Sequence, residues 1–383
     1  MENSLAYILL CLFFGCTALY HYCVETGEIR TRLNLLCIVV FFLFFGFRGF
    51  VGDDWQSYYV SFQTASWSEL SLVPNNHWNY EVGFSVLMFA CKSIINDYQF
   101  FVLICSLVNT LLLSRFLLKR MSNVPLGLML YICMGGLVMS TNLMRNSIAI
   151  LIFVNALEYI EQRRPLPYLV MGVLAISFHT SATIYLPLYF FLHRNISKWV
   201  YLGVFLVGNA ILLLHISLLL PLTELVGRLL NAQMLEKIND YTEMQDTAGF
   251  VLSIGYLERL FTGLLVFVYV DRLKMMRQEN VVFINALLLY FVMIFMFSEF
   301  EEFSKRMSNL FIFAYWILWY DLIKTFSVMN NRRLFIGFIG IYCMMKLVGT
   351  ASYVSWRYDS TLLGAKSYQE RLFIYNRNIP DSK

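Results

Sequence analysis

Five groups of polar residues interrupt otherwise apolar stretches of this chain, and their types set the chemistry open to it. The first runs from Arg48 through Gly49, Gly52, Asp53 and Asp54 to Tyr58. Its glycines permit a tight turn. Its guanidinium and carboxylates either pair with each other as an interfacial anchor or bind a substrate. The second is Glu81, which opens the run Glu81-Val82-Gly83-Phe84; an acid there is also favourable with a helix dipole. In the third, Asn142, Arg145, Asn146 and Ala149 stand at i, i+3, i+4 and i+7, so on a helix they share one face. Two amides and a guanidinium make a poor lipid-facing surface and suit a polar cavity. The fourth is Ser177-Phe178-His179-Thr180-Ser181, where a neutral imidazole sits among hydroxyls and can act as a general base. The fifth is split between Glu258-Arg259 and the group Glu299, Glu301, Glu302, Lys305 and Arg306. Glu302 and Arg306, four apart, can simply pair. Glu258 and Arg259, being adjacent, point in different directions. A charge at membrane depth costs roughly 2.5–3.5 kcal/mol on insertion scales, so each of these needs a reason.

That cost applies because the elements carrying these residues are membrane helices. Of 383 residues, 59% are hydrophobic and only 14% charged, against about 25% charged in soluble domains. The mean hydropathy is +0.62. A soluble enzyme, a disordered chain and a nucleic-acid binder are excluded. Apolar runs near the roughly 20 residues a span needs occur at 5–23, 33–50, 98–117, 124–141, 143–161, 199–220, 251–270, 281–298, 308–326 and 333–351. The expected fold is an all-α polytopic integral membrane protein with about 10–12 transmembrane helices, forming a single membrane domain over residues 1–383. No cleavable signal is expected: Glu2 precedes the first apolar run, and neither a basic region nor a small-x-small site flanks it. The eight cysteines lie in apolar stretches and read as packing residues rather than a disulfide framework. No nucleotide-binding motif is present.

Short loops rich in Lys and Arg, such as Arg115/Lys119/Arg120 and Arg272/Lys274/Arg277, are assigned to the cytoplasm. Loops 51–80 and 221–250 then face outward, as do all five polar groups. Two segments do not fit single spans. Segment 82–95 is short and carries Lys92, so it reads as re-entrant or interfacial. Segment 166–192 is too long for one span and has basic residues, Arg164 and Arg194, at both ends. It is expected to rise and return as two half-helices with His179 at the turn, the rival reading being one tilted span. Irregular backbone at that depth requires burial in protein or a watery cavity. Tail 352–383 is ambiguous: counting spans puts it outside, while Arg357, Lys366, Arg371, Arg377 and Lys383 suit the inside.

In order and spacing, these motifs resemble the EpsG-type branch of the Wzy polysaccharide polymerases. The resemblance rests on Arg48, Gly52, Asp54 and Tyr58; on Glu81, Gly83 and Phe84; on Arg145, Asn146 and Ala149; and on Phe178, His179, Ser181 and Ala182. It spans about residues 40–192. The C-terminal half matches only in general character, with Arg306 before a late aromatic span. The family usually has Gln where this chain has Asn146, and its single acid is doubled here as Asp53-Asp54.

The resemblance implies a bacterial inner-membrane enzyme, facing the periplasm, that joins undecaprenyl-diphosphate-linked oligosaccharide repeats. An acceptor hydroxyl would attack the anomeric carbon as the lipid diphosphate leaves, with inversion. Arginine suits the leaving group, being always charged and bidentate toward phosphate oxygens; Arg145 is first choice, with Arg48, Arg259 and Arg306 behind it. His179, then Asp54, are candidate bases. Asp53, Tyr58, Glu81, Asn142, Asn146, Ser181, Glu258 and Glu302 are candidate substrate contacts. Trp55, Tyr58, Tyr59, Trp67, Trp78 and Tyr80 offer faces for sugar stacking or serve as interfacial anchors. No metal or cofactor is expected. Partners would be membrane lipids, a flippase and a chain-length regulator. The rival functions are an O-antigen ligase and a polysaccharide flippase.

Overall fold

The computed structural model describes residues 2–70, 80–217 and 253–378. Loop 221–250 and Trp78 lie outside the described residues. The described chain is all helical in its regular structure, with one isolated β-bridge. In chain order the α-helices are α1 (Leu5–Cys23), α2 (Gly27–Gly46), α3 (Trp55–Thr64), α4 (Val82–Ile94), α5 (Tyr98–Arg120), α6 (Val124–Tyr131), α7 (Leu137–Thr141), α8 (Met144–Glu161), α9 (Pro165–Phe178), α10 (Lys198–Leu213), α11 (Ile254–Met276), α12 (Asn280–Phe291), α13 (Glu301–Asn309), α14 (Phe313–Thr325), α15 (Met329–Thr350) and α16 (Tyr368–Asn378).

The fold is that of an all-α polytopic membrane protein. Among the described residues five helical stretches are long and apolar enough to cross a membrane: α1, α2, α5, the run Val124–Thr141 and α15. Shorter apolar helices include α4, α9 and α10. Helices α1, α5, α15 and the run Val124–Thr141 fall on apolar runs, while α2 begins six residues before the run at 33–50; a helix of about 20 residues is the cheap way to satisfy backbone groups across lipid.

The chain packs as two compact units, Met1–Tyr189 with Ser327–Lys383, and Phe190–Phe326. Within the second, α14 is buried at every residue but Lys324 and carries Trp316 and Trp319. Helices α11 and α12 pack against it.

Within the first unit, segment 166–192 breaks where it was expected to. Helix α9 ends at Phe178, His179 is extended (φ −157°, ψ 125°), and a 3-10 helix runs from Thr180 to Phe190. The two arms lie antiparallel. The Tyr168 hydroxyl donates to the Tyr185 carbonyl, Tyr168 and Tyr189 rings are 5.2 Å apart, and Gly172 faces Leu186. This is a hairpin with His179 at its apex, and the single tilted span is excluded. One expectation is corrected nearby. The face shared by Arg145, Asn146 and Ala149 does not include Asn142, because α8 begins only at Met144 and the chain turns at Leu143 (φ −93°, ψ 47°).

The tail belongs with the loop after α2. Arg48 and Ser360 form the antiparallel bridge, Gly49 donates to the Asp359 carbonyl at 2.8 Å, and Gly52 donates to Ser355 at 2.9 Å. Tail and loop therefore share one side of the molecule. All eight cysteines are free thiols, six of them buried.

Candidate functional site

Glu81 stands at the N-cap of α4, yet its carboxylate makes no capping bond to α4. It reaches two other elements instead. Oε2 accepts from Arg145 Nη1 of α8 at 2.7 Å. Oε1 accepts from the Thr180 amide at 2.9 Å and its hydroxyl at 3.3 Å. One carboxylate thus ties α4, α8 and the hairpin apex together. The approach is possible because residue 83 is glycine: a Cβ there would lie 2.5 Å from Ser177 Oγ and 2.8 Å from its carbonyl oxygen. Burial alone would raise the Glu81 carboxyl; the Thr180 amide and the Arg145 guanidinium outweigh it and hold it below the usual carboxylate range. Glu81 is therefore an anion at neutral pH.

Arg145 is the second residue of α8. Its guanidinium lies 4.5 Å from the Tyr80 ring centre, a cation–π contact. Nε is buried without a hydrogen-bond partner. The side chain keeps 23% exposure, and it uses it to line a cavity of about 740 Å³ together with Asp54, Gln56, Ser57, Tyr58, Ser61, Tyr80 and Tyr368. This cavity is polar and holds a carboxylate, a guanidinium, hydroxyls and aromatic rings.

The apex carries His179. Its Nδ1 accepts from the Ser181 amide at 3.2 Å and lies 2.7 Å from the Ser181 hydroxyl. A ring nitrogen that accepts has no proton, so the neutral imidazole carries its proton on Nε2. Ser181 Oγ in turn stands 3.5 Å from Asn146 Oδ1, at the limit of a hydrogen bond.

The two adjacent acids separate in role. The Asp53 amide donates to Asn142 Oδ1 at 3.0 Å, and Asn142 Nδ2 returns a bond to Asp53 Oδ2 at 3.4 Å. Asp53 is thus held in the loop framework, and Asp54 lines the cavity. Asn142 comes so close that only glycine fits at residue 52: φ is +89°, and a Cβ would stand 1.7 Å from Asn142 Oδ1. Gly52→Ala is expected to destabilise the protein by roughly 1–3 kcal/mol from backbone strain alone, with the clash in addition. A thermal-unfolding midpoint in detergent equal to the wild type would contradict this.

The other candidates lie elsewhere. Arg48 is 3% exposed. It donates to the Phe45 carbonyl at 2.7 Å and the Ser106 hydroxyl at 2.9 Å, with Met144 Sδ at 3.2 Å from Nη2. It is not among the cavity-lining residues. Of the aromatics, Tyr58 and Tyr80 line the cavity, Tyr59 stacks on Tyr368, Trp55 is buried and Trp67 binds Ser93. In the second unit, Glu258 accepts from Thr262 at 2.7 Å and Arg259 donates to Tyr290 at 3.1 Å. Glu302 and Arg306 pair with each other at 3.7 Å on an exposed helix. Reasoning from sequence missed the Thr180 amide as the second partner of Glu81, and Tyr368 as a cavity residue. A main-chain donor leaves no trace in residue type, and Tyr368 is one aromatic among many.

No curated protein and no solved structure matches this chain. The family model described as the EpsG family matches residues 31–360, which takes in every described motif of the cavity and the hairpin except the tail helix. The chain therefore belongs to the EpsG family.

Proposed function

We propose that this protein is a polymerase that joins lipid-diphosphate-linked oligosaccharide repeats at the outer face of the bacterial inner membrane. The observation that carries the reading is a polar cavity, in a multi-pass membrane protein of the EpsG family, that brings Arg145, Asp54 and aromatic rings to one place. Two chemical needs meet there. The lipid diphosphate leaves with its electron pair, and the fixed guanidinium of Arg145 is suited to that charge. The acceptor hydroxyl loses a proton as its oxygen bonds to the anomeric carbon, and the Asp54 carboxylate is the group in the cavity that takes it. His179, with Nδ1 engaged by Ser181, supports the site as an Nε2–H donor at the apex. Direct displacement inverts the anomeric carbon.

Two experiments test this. In a strain lacking the gene, a gel of surface glycan is expected to show a single repeat on the lipid core. A bare core would assign ligation instead, and an unchanged ladder would remove both readings. Asp54→Asn, at normal protein level, is expected to slow polymer growth roughly 10²–10⁴-fold, the usual contribution of a general base; a wild-type rate would take Asp54 out of the proton transfer.

A further inference from the structure

The tail contributes a wall of the cavity. Tyr368, the first residue of α16, is a lining residue. Its ring stacks on Tyr59 with centres 4.0 Å apart and planes 14° off parallel, and meets Phe50 and Trp55 edge-on at 5.8 and 5.5 Å. That ring is held by an unusual device. Arg371, one helical turn on, is 2% exposed, and its Nη2 is within hydrogen-bond distance of the carbonyls of Val354 (3.3 Å), Ser355 (3.0 Å) and Arg357 (2.9 Å). The same short stretch receives the Gly52 amide. The guanidinium therefore fixes α16 to the 3-10 turn at Val354–Trp356, which also holds the loop bearing Asp54. A buried arginine spent on three carbonyls is costly unless the geometry it fixes matters. The family match ends at residue 360, so Tyr368 and Arg371 lie beyond what the family model describes.

We propose that Tyr368 is a specificity-determining residue, an aromatic platform for a sugar ring of the lipid-linked repeat, and that Arg371 is its positioning residue. The inference rests on the polymerase reading above and adds which part of this chain reads the sugar. An aromatic face buries the apolar face of a sugar ring, while Gln56, Ser57 and Ser61 stand in the same cavity with groups suited to its hydroxyls. A wall contributed by a segment outside the family match can differ between chains that share the Arg145 and Asp54 chemistry.

The test uses the full-length protein in detergent, with the lipid-linked repeat extracted from the deletion strain as probe. Tyr368→Ala is expected to raise KM about tenfold, the loss of one stacked ring, with kcat changed less than threefold. Tyr368→Phe, which keeps the ring, is expected to stay within twofold of wild type. Arg371→Ala is expected to raise KM as Tyr368→Ala does, and to add little in the double variant. A Tyr368→Ala enzyme with wild-type KM overturns the platform. So does a Tyr368→Phe enzyme as impaired as Tyr368→Ala, since that would trace the effect to the hydroxyl. If wild-type protein fails to extend the repeat at all, the polymerase reading fails, independently of Tyr368.

Discussion

Arg145→Ala is expected to leave a single repeat on the lipid core where the wild type builds a ladder, with the growth rate down about 10²–10³-fold, the scale of losing one preorganised donor to developing charge. The side chain is committed to Glu81 through one nitrogen, at 2.7 Å, and a guanidinium has five N–H donors in all. Pairing with Glu81 therefore orients the group without exhausting it. Arg145→Lys keeps the charge and loses the planar fork. It is expected to recover no more than about a tenth of the wild-type rate. A normal ladder from Arg145→Ala, at normal protein level, would remove Arg145 from the diphosphate.

Glu81→Ala is expected to act on stability first. It leaves Arg145 unpaired and the Thr180 amide without its acceptor. Breaking a buried ion pair from one side costs about 3–5 kcal/mol; with Arg145 retaining 23% exposure, about 2–4 kcal/mol is expected here. That is a fall of roughly 2–5 °C in the unfolding midpoint for a protein of this size. Removing Arg145 in the same chain should restore part of it, because the uncompensated charge goes too. Strictly additive losses would mean that the pair does not act as a unit. The pH dependence has a definite sign. The folded carboxyl of Glu81 titrates below its ordinary range, so its contribution is full at neutral pH and disappears as pH falls through that lowered value. The variant should therefore lose most relative to wild type at neutral pH and least in acid.

Much of this arrangement could be read from residue order, and the parts that could not share a physical cause. The runs 5–23 and 124–141 match the helical stretches residue for residue, since length and apolarity decide a span. The break at His179 was legible because residues 166–192 exceed one span and are basic at both ends. Arg145 and Glu81 could each be singled out as charges in the wrong place. Their pairing could not, because 64 residues separate them and 99 separate Glu81 from Thr180, and no periodicity reaches that far. The tail's place beside the loop after α2 could not be read from its charges. Arg371 counts toward a basic, cytoplasm-like segment, yet it is buried on main-chain carbonyls. The partners of Arg48, the Phe45 carbonyl and the Ser106 hydroxyl, were not legible either, since the hydroxyl lies 58 residues away.

The bridge between the loop after α2 and the tail has a consequence in time. Tyr358 donates to the Phe44 carbonyl across 314 residues, and Gly49 and Gly52 donate to the tail beside it. At about 5–20 residues per second of synthesis, those early amides wait roughly 15–60 s for their acceptors. Every membrane helix described here has left the ribosome before the loop carrying Asp54 is closed. A chain cut short before residue 355 would insert its helices and still lack a finished cavity, so closure of the site waits on synthesis of the segment that carries its late acceptors.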